Sequence, residues 1–236
     1  VDNDAGVIGA APKVKIYALK PMTWNSWEIA KAINWSVPNG INIISMSFGT
    51  DINYPEIRRA VDYAHTSGVV LIAASGDTNE NKILYPAKYD NVIAVSAVNQ
   101  NNQRWVDPST GLGSNYGPEL DLVAPGADIN STLLGDTYGT WSGTSFAVPH
   151  VTAVAALTLA SKINPKYDSN GDGIWQNVEV YDRLIDLAKD LGPSGRDDEY
   201  GYGLVDALLR DTAVDFATSY KTVHGWGYPL QIYVKV

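Results

Sequence analysis

Continuous apolar runs alternate with amphipathic stretches along the first hundred residues of the chain. Apolar residues at helical spacing predict helices at 27–37 and 55–66. Runs of strand length predict strands buried on both faces at 41–48, 69–75 and 91–98, and a shorter alternating strand at 14–19. Strands and helices in alternation indicate an α/β fold with a parallel sheet, in which ligands bind at the carboxyl ends of the strands.

A tight turn, Gly143-Thr144-Ser145, precedes a longer apolar helix predicted at 146–163. A serine at this place has its own backbone N–H and the positive end of a helix dipole beside its hydroxyl. It is therefore suited to attack a carbonyl and to stabilise the oxyanion that forms. The alternative is that Gly-Thr-Ser only caps the helix. Pro149 requires the helix to begin close to Ser145, because proline is tolerated in the first turn and costly later.

Composition excludes several classes of protein. The 236 residues suffice for one well-buried domain, and the formal charge of −9 argues against nucleic acid and anionic membranes as partners. No apolar run approaches the roughly 20 residues that span a bilayer, and no signal peptide is recognisable. The absence of cysteine removes disulfides, thiolate catalysis and cysteine-based zinc sites.

Two longer motifs resemble a known family. Ser142-Gly-Thr-Ser-Phe-Ala-Val-Pro-His-Val151 resembles the nucleophile motif of the subtilisin-like serine proteases, and Tyr200-Gly-Tyr-Gly-Leu-Val-Asp-Ala207 resembles the signature that closes their domain. The resemblance covers residues 1–208 and implies a three-layer, doubly wound, mostly parallel α/β sheet. It also implies an extracellular serine endopeptidase that forms an acyl-enzyme on Ser145. No role is predicted for residues 209–236, which end in a strand-like alternation.

The resemblance further implies where a peptide substrate binds. One segment, after the first buried strand, would pair with the substrate backbone as an added strand. Another would form the wall of the pocket for the residue before the scissile bond. A leucine at the base of that pocket should leave less depth than a glycine. The pairing segment is Ser47, Phe48 and Gly49, the pocket wall is Ala74, Ser75 and Gly76, and the leucine at the base is Leu84.

The other two catalytic groups of this family are missing from the sequence. The Asp-Thr/Ser-Gly and His-Gly-Thr-His motifs lie upstream of the segment that matches Val1, and neither occurs here. His150 lies about 140° round the helix from Ser145 and so points away from it. His65 and His224 are interpreted as surface or packing residues. Because the chain begins at Val1 without methionine, we expect a processed or truncated piece whose partner is an upstream fragment carrying both motifs.

Asp77 lies where the family normally has an asparagine that donates to the oxyanion. An ionised carboxylate only accepts, and losing one such donor costs on the order of 10²–10³ in rate. A protonated Asp77 can donate, and a free aspartic acid titrates at about pH 4, so activity is expected to favour acid. The alternative is a catalytically inactive subtilisin-like domain that binds extended peptides.

The segment at 168–179, DSNGDGIWQNVE, fits the twelve-residue calcium loop of an EF-hand, with helices predicted before it at 146–163 and after it at 179–191. The predicted ligands are Asp168, Asn170, Asp172, the Ile174 carbonyl, Gln176 through a water, and Glu179. The alternatives are a polar loop without metal and, less plausibly, a calcium sensor.

The resemblance implies a second calcium site in the turn-rich loop at 1–12. Its oxygen ligands would be the Asn3 side chain and the carbonyls of Val1, Ala5 and Val7. The family also takes a carboxylate from upstream, which this sequence does not contain.

Overall fold

Strands and helices alternate through most of the computed structural model, which describes residues 7, 9–207 and 231–235. The helices are α1 Ser26–Ser36, α2 Pro55–Thr66, α3 Thr144–Ala160 and α4 Asn177–Asp186. The strands are β1 Lys15–Leu19, β2 Ile43–Met46, β3 Val70–Ala74, β4 Ile93–Val98, β5 Leu122–Pro125, β6 Ile129–Leu133, β7 Thr137–Trp141 and β8 Gln231–Lys235.

The main sheet has the strand order β1-β8-β2-β3-β4-β5, and β6 and β7 form a separate hairpin. Strands β2 to β5 pair in parallel, which confirms the predicted α/β sheet. Strand β8 lies antiparallel to both of its neighbours, β1 and β2. Strands β1 and β2 therefore run in the same direction, and the segment beyond residue 208 supplies the strand that joins them.

Two hydrophobic cores lie on opposite faces of this sheet, because alternate side chains of a strand point to opposite sides. In β3, Val70, Ile72 and Ala74 pack in the core that contains α3 and α4. Leu71 and Ala73 pack in the core that contains α1 and α2. The result is the predicted arrangement of three layers.

The predicted and observed elements differ mainly at their ends. Helix α2 has the predicted bounds, whereas α4 ends at Asp186 and not at residue 191. The reason is that Lys189 and Leu204 exchange two backbone hydrogen bonds of 2.8 Å, which requires an extended chain there. Strand β5 and the β6–β7 hairpin were not predicted.

Asp121 joins three parts of the fold just before β5. Its carboxylate accepts from the Ala94 N–H at 2.8 Å and from the Tyr181 hydroxyl at 2.9 Å. Burial raises the pKa of Asp121 to about 6, although these hydrogen bonds and Arg196 act to lower it. The folded state therefore binds this proton more tightly than the unfolded chain does. The stability that results is present below about pH 4 and is lost as the pH rises through about 6.

We expect Asp121→Asn to remove a pH dependence of folding. In the unmodified protein, this carboxyl should lower the free energy of unfolding by about 2 kcal/mol between about pH 4 and about pH 7. The amide is nearly isosteric and does not ionise, so the variant should lack this decline. Urea unfolding of both proteins across that range measures it, and parallel curves would contradict the assignment.

Candidate active site

The turn before α3 is built on two glycines at the carboxyl ends of the strands. The Gly143 N–H donates to the Gly126 carbonyl at 2.8 Å. Gly143 has φ of 150°, and a Cβ there would stand 3.0 Å from Oδ2 of Asp77. A Cβ on Gly126 would stand 2.5 Å from the Cβ of Ala97. A side chain at position 126 would overlap Ala97 and the Gly143 carbonyl, and one at position 143 would press on the Asp77 carboxylate from a backbone conformation that other residues rarely adopt.

Asp77, in the loop after β3, holds the first residue of α3. Its Oδ1 accepts from both the N–H and the hydroxyl of Thr144, each at 2.8 Å. The first N–H groups of a helix have no partner within the helix, and a carboxylate there also meets the positive end of its dipole. Asp77 therefore caps α3 from a neighbouring loop. One carboxylate oxygen is engaged in this way, and the other faces Gly143.

Ser47, which follows the end of β2, binds the carbonyl of Ser145, the second residue of α3. In an uninterrupted helix, the Ser145 carbonyl would accept from the N–H of residue 149, which is Pro149 and has none. The Ser47 hydroxyl donates to the Ser145 carbonyl instead, at 2.9 Å. The proline inside α3 thus makes the turn that contains Ser145 depend on the side chain of Ser47, which follows the end of β2.

The Ser145 hydroxyl lies in the predicted place, but it faces no base within the described part of the chain. Its Oγ donates to the Ser47 carbonyl at 3.2 Å. The Nδ1 of His150 lies 2.9 Å from the Phe146 carbonyl, so this ring bonds to its own helix. His65 lies at the end of α2, and His224 is outside the described residues.

Two of the predicted substrate segments lie beside Ser145 at the carboxyl ends of their strands, through the bonds of Ser47 to Ser145 and of the Gly76 N–H to the Thr144 hydroxyl. Strand β2 ends at Met46 and β3 at Ala74, so residues 47–49 and 75–76 continue beyond the sheet ladder. The Ser75 hydroxyl lies 2.7 Å from that of Ser96 in the buried core. The side chain of Ser75 therefore points away from the predicted substrate, and only its backbone could contact a peptide. The Phe48 ring packs against Trp24, with ring centroids 5.9 Å apart.

The loop at 168–179 curls around its own acidic and amide side chains. Asp168 Oδ2 accepts from the Gly173 N–H at 3.1 Å, Asn170 Oδ1 from Asp172 at 3.0 Å, and Asp172 Oδ1 from Ile174 at 2.7 Å. The second oxygen of Asp168, Oδ1, is buried without a hydrogen-bond partner in the described structure. The loop therefore contains one buried oxygen that nothing in the protein satisfies.

Glu179, the last predicted ligand of this loop, is fully buried at the start of α4. One of its oxygens accepts from the N–H and hydroxyl of Ser169, both at 2.8 Å, and the other from the Gln176 N–H at 2.9 Å. Burial opposes the charged form, but these bonds outweigh it and hold the pKa of Glu179 below its usual value. Across the described residues, no three His, Cys, Asp or Glu side chains converge on a common metal position.

The second predicted calcium site cannot be placed. Val1, Asn3 and Ala5 lie outside the described residues, and Val7 is exposed.

Among the residues around Ser145, sequence reasoning missed Gly126 and the role of the Ser47 side chain. The signal for Ser47 was Pro149, whose position four residues after Ser145 means that the Ser145 carbonyl needs another donor.

A parallel sheet flanked by helices on both faces, with Ser145 at the start of a buried helix beside the strand ends, places the chain among the doubly wound α/β proteins. The chain belongs to the Subtilase family, whose sequence model matches residues 1–203. No described helix has the length and apolar character needed to span a membrane.

Relatives in sequence and structure agree with this membership. The chain is 37% identical over 211 residues to a thermostable alkaline protease of Halalkalibacterium halodurans, covering 88% of this chain and 53% of the relative. It is 36% identical over 211 residues to subtilisin Savinase of Lederbergia lenta, covering 88% and 71%. The solved structure of sphericase matches with a TM-score of 0.62 and 30% identity, over 77% of this chain and 63% of that one. The chain thus spans about half the length of the first of these relatives.

Ser47→Ala should destabilise the protein by about 1–2 kcal/mol, because the Ser145 carbonyl loses its donor. Pro149→Ala restores an N–H at the position that normally serves this carbonyl. In the Pro149→Ala background, Ser47→Ala should therefore lower the free energy of unfolding by clearly less than it does in the unmodified protein. Urea unfolding of the four proteins in a double-mutant cycle measures the coupling. Equal costs in the two backgrounds would show that the proline does not create the need for Ser47.

Proposed function

We propose that this chain is the serine-bearing portion of a subtilisin-like endopeptidase, and that its catalytic Asp and His come from an upstream segment of the same protein. The observation that carries the proposal is the position of Ser145, on the second residue of α3 and within hydrogen-bond distance of the strand end at Ser47. The positive end of the α3 dipole and the backbone N–H groups of its first turn lie beside the hydroxyl there. Family membership supports an extracellular location.

In the proposed reaction, the upstream histidine takes the proton from Ser145 Oγ as the oxygen bonds to the substrate carbonyl carbon. The histidine then gives this proton to the leaving nitrogen as the peptide bond breaks, and water hydrolyses the resulting acyl-enzyme. The Ser145 N–H and a protonated Asp77 would donate to the oxyanion. Asp77 already bonds Thr144 through Oδ1, so its proton would be on Oδ2.

A second candidate is a catalytically inactive domain that binds extended peptides along residues 47–49. The observation that favours it is the Ser145 hydroxyl itself, which donates to a carbonyl and meets no imidazole among the described residues. An ionised Asp77 beside it would repel an oxyanion.

Labelling with a fluorophosphonate probe, which reacts only with activated serines, separates the two candidates. We expect denaturing mass analysis of the purified material to find a companion polypeptide with Asp-Thr/Ser-Gly and His-Gly-Thr-His motifs, and the probe to label Ser145. Ser145→Ala is the control and should not react. A single species with the mass of this chain, unlabelled from about pH 4 to about pH 9, would overturn the endopeptidase and leave peptide binding.

The same probe tests Asp77. Asp77→Asn keeps an oxygen that can accept from Thr144 and replaces Oδ2 with an amide donor. We expect the variant to label faster than the unmodified protein at about pH 8, by on the order of 10²-fold, with the difference shrinking in acid. A variant that is slower at every pH would contradict a donor role for Asp77.

We also propose that the loop at 168–179 binds calcium. The fit rests on Asp168, whose buried Oδ1 lacks a hydrogen-bond partner among the described residues, and on the oxygen-rich turn formed with Asn170 and Asp172. Such hard oxygen donors suit calcium. Glu179 would have to give up its bonds to Ser169 to become a ligand. A bound ion would supply stability rather than chemistry.

Calcium should raise the melting temperature of the protein relative to a chelator. At 100 times its dissociation constant, an ion that binds only the native state contributes about 2.7 kcal/mol. Asp168→Asn should lose most of this gain, whereas Asp182→Asn, an exposed carboxylate on α4, should keep it. A melting temperature that does not respond to calcium would contradict the site.

A further inference from the structure

Asn115 is a fully buried residue that binds the loop carrying Asp77. Its Oδ1 accepts from the Thr78 N–H at 2.9 Å, from the Thr78 hydroxyl at 3.0 Å and from the Glu80 N–H at 3.2 Å. Its own N–H donates to the Gly76 carbonyl at 2.8 Å. Asn115 therefore holds the chain immediately before and immediately after Asp77.

The backbone of Asn115 is in turn fixed to the sheet. Its carbonyl accepts from the hydroxyl of Ser75, which follows β3, at 3.2 Å, and from the hydroxyl of Ser96, which lies in β4. A fully buried side chain in a close-packed interior has little freedom to change its rotamer. The loop after β3 is thus placed relative to the sheet by one amide group.

This loop contacts Thr144, the residue before Ser145, at two points. The Asp77 carboxylate accepts from the N–H and hydroxyl of Thr144, and the Gly76 N–H donates to the same hydroxyl at 3.3 Å. The hydrogen bonds of Asn115 in the described structure go to residues 75, 76, 78, 80 and 96. An influence of Asn115 on Ser145 must therefore pass through the loop, and through Asp77 above all.

Only one end of the Asn115 amide is used. Three donors converge on that end, which must therefore be the oxygen, because the nitrogen of an amide cannot accept. The Nδ2 is buried without a hydrogen-bond partner in the described structure, and a Cβ added to Gly76 would stand 2.5 Å from it. An unpaired buried donor is unfavourable. The contribution of Asn115 is therefore made by Oδ1 and is lost with any side chain that has no acceptor there.

We infer that Asn115 is a positioning residue for Asp77. It holds the carboxyl group where it meets Thr144 and, in the proposed reaction, where it donates to the oxyanion; this second role rests on the proposed function. A donor stabilises an oxyanion only when it is held at hydrogen-bond distance, so a loop that shifts loses the effect. The alternative is that Asn115 only satisfies buried N–H groups and stabilises the fold without a specific effect on Asp77.

The first test measures fluorophosphonate labelling of the assembled protein with and without Asp77→Asn, in two backgrounds. With Asn115 present, Asp77→Asn is expected to label about 10²-fold faster at about pH 8. In the Asn115→Ala background, this ratio should fall below about tenfold and lose its dependence on pH, because the new amide is no longer held at the oxyanion. A residue that only stabilises the fold would lower both rates by the same factor, so an unchanged ratio would overturn the inference.

Asn99→Ala is the matched control for this comparison. The Asn99 Oδ1 accepts from the N–H groups of Asn101 and Gln103, at 2.9 and 3.1 Å, in the turn after β4. Its removal loses the same kind of bond in a different turn, so the ratio should stay at about 10²-fold. Should Asn115→Ala fail to fold, Asn115→Ser takes its place with the same expected fall, because the serine hydroxyl ends one bond short of the Asn115 Oδ1.

A stability measurement separates this inference from the proposed function, since it needs no catalysis. Asp77→Ala removes the acceptor of Thr144 and should lower the urea midpoint of unfolding. Because Asn115 holds Asp77 in place, this shift should be at least about halved in the Asn115→Ala background. A reduced shift without any labelling supports the positioning role and overturns the endopeptidase. Equal shifts in the two backgrounds overturn the positioning role, even in a protein that hydrolyses peptides.

Discussion

The attachment of the α3 N-terminus to the carboxyl edge of the sheet is the constraint on which the candidate site depends. A helix that begins at the sheet edge has N–H groups without partners, and here Pro149 also leaves a carbonyl without its helical donor. Side chains from two strand ends meet these needs: Asp77 binds the N–H of Thr144, and Ser47 binds the carbonyl of Ser145. The groups that complete the helix are thus the ones that fix Ser145 beside the strand ends.

In the proposed reaction, the same arrangement would give Asp77 two competing roles. As a negative charge at a helix N-terminus it stabilises the fold, but beside an oxyanion the same charge is unfavourable. An asparagine could hold Thr144 and donate to an oxyanion at once, whereas an aspartate does both only when one of its oxygens carries a proton.

Strand β8 fills an internal position of the sheet, between β1 and β2. Strands β1 and β2 are parallel, and the strand between them comes from residues 231–235, beyond the part that matches the family. An unpaired strand edge exposes hydrogen-bonding groups that can recruit other chains. Strand β8 pairs one side of β1 and one side of β2, and β1 itself forms the edge of the sheet. Because β8 is antiparallel to β1 and β2, its chain runs away from the edge of the sheet at which Ser145 lies, whereas the chains of β1 and β2 run toward that edge.

The sequence by itself determined the buried strands, the helix α2, the serine turn and family membership, because these depend on local periodicity and on contiguous motifs. The predicted strands at 41–48 and 69–75 ran two residues and one residue past the observed ends at Met46 and Ala74. Only the tertiary structure decided which side chains complete the helix start, because Ser47 and Ser145 are 98 positions apart in the chain. It also decided that Ser75 points into the core and that Leu84 lies against both Gly49 and Gly76. Such contacts depend on how separate strand ends converge, and no local pattern contains that information.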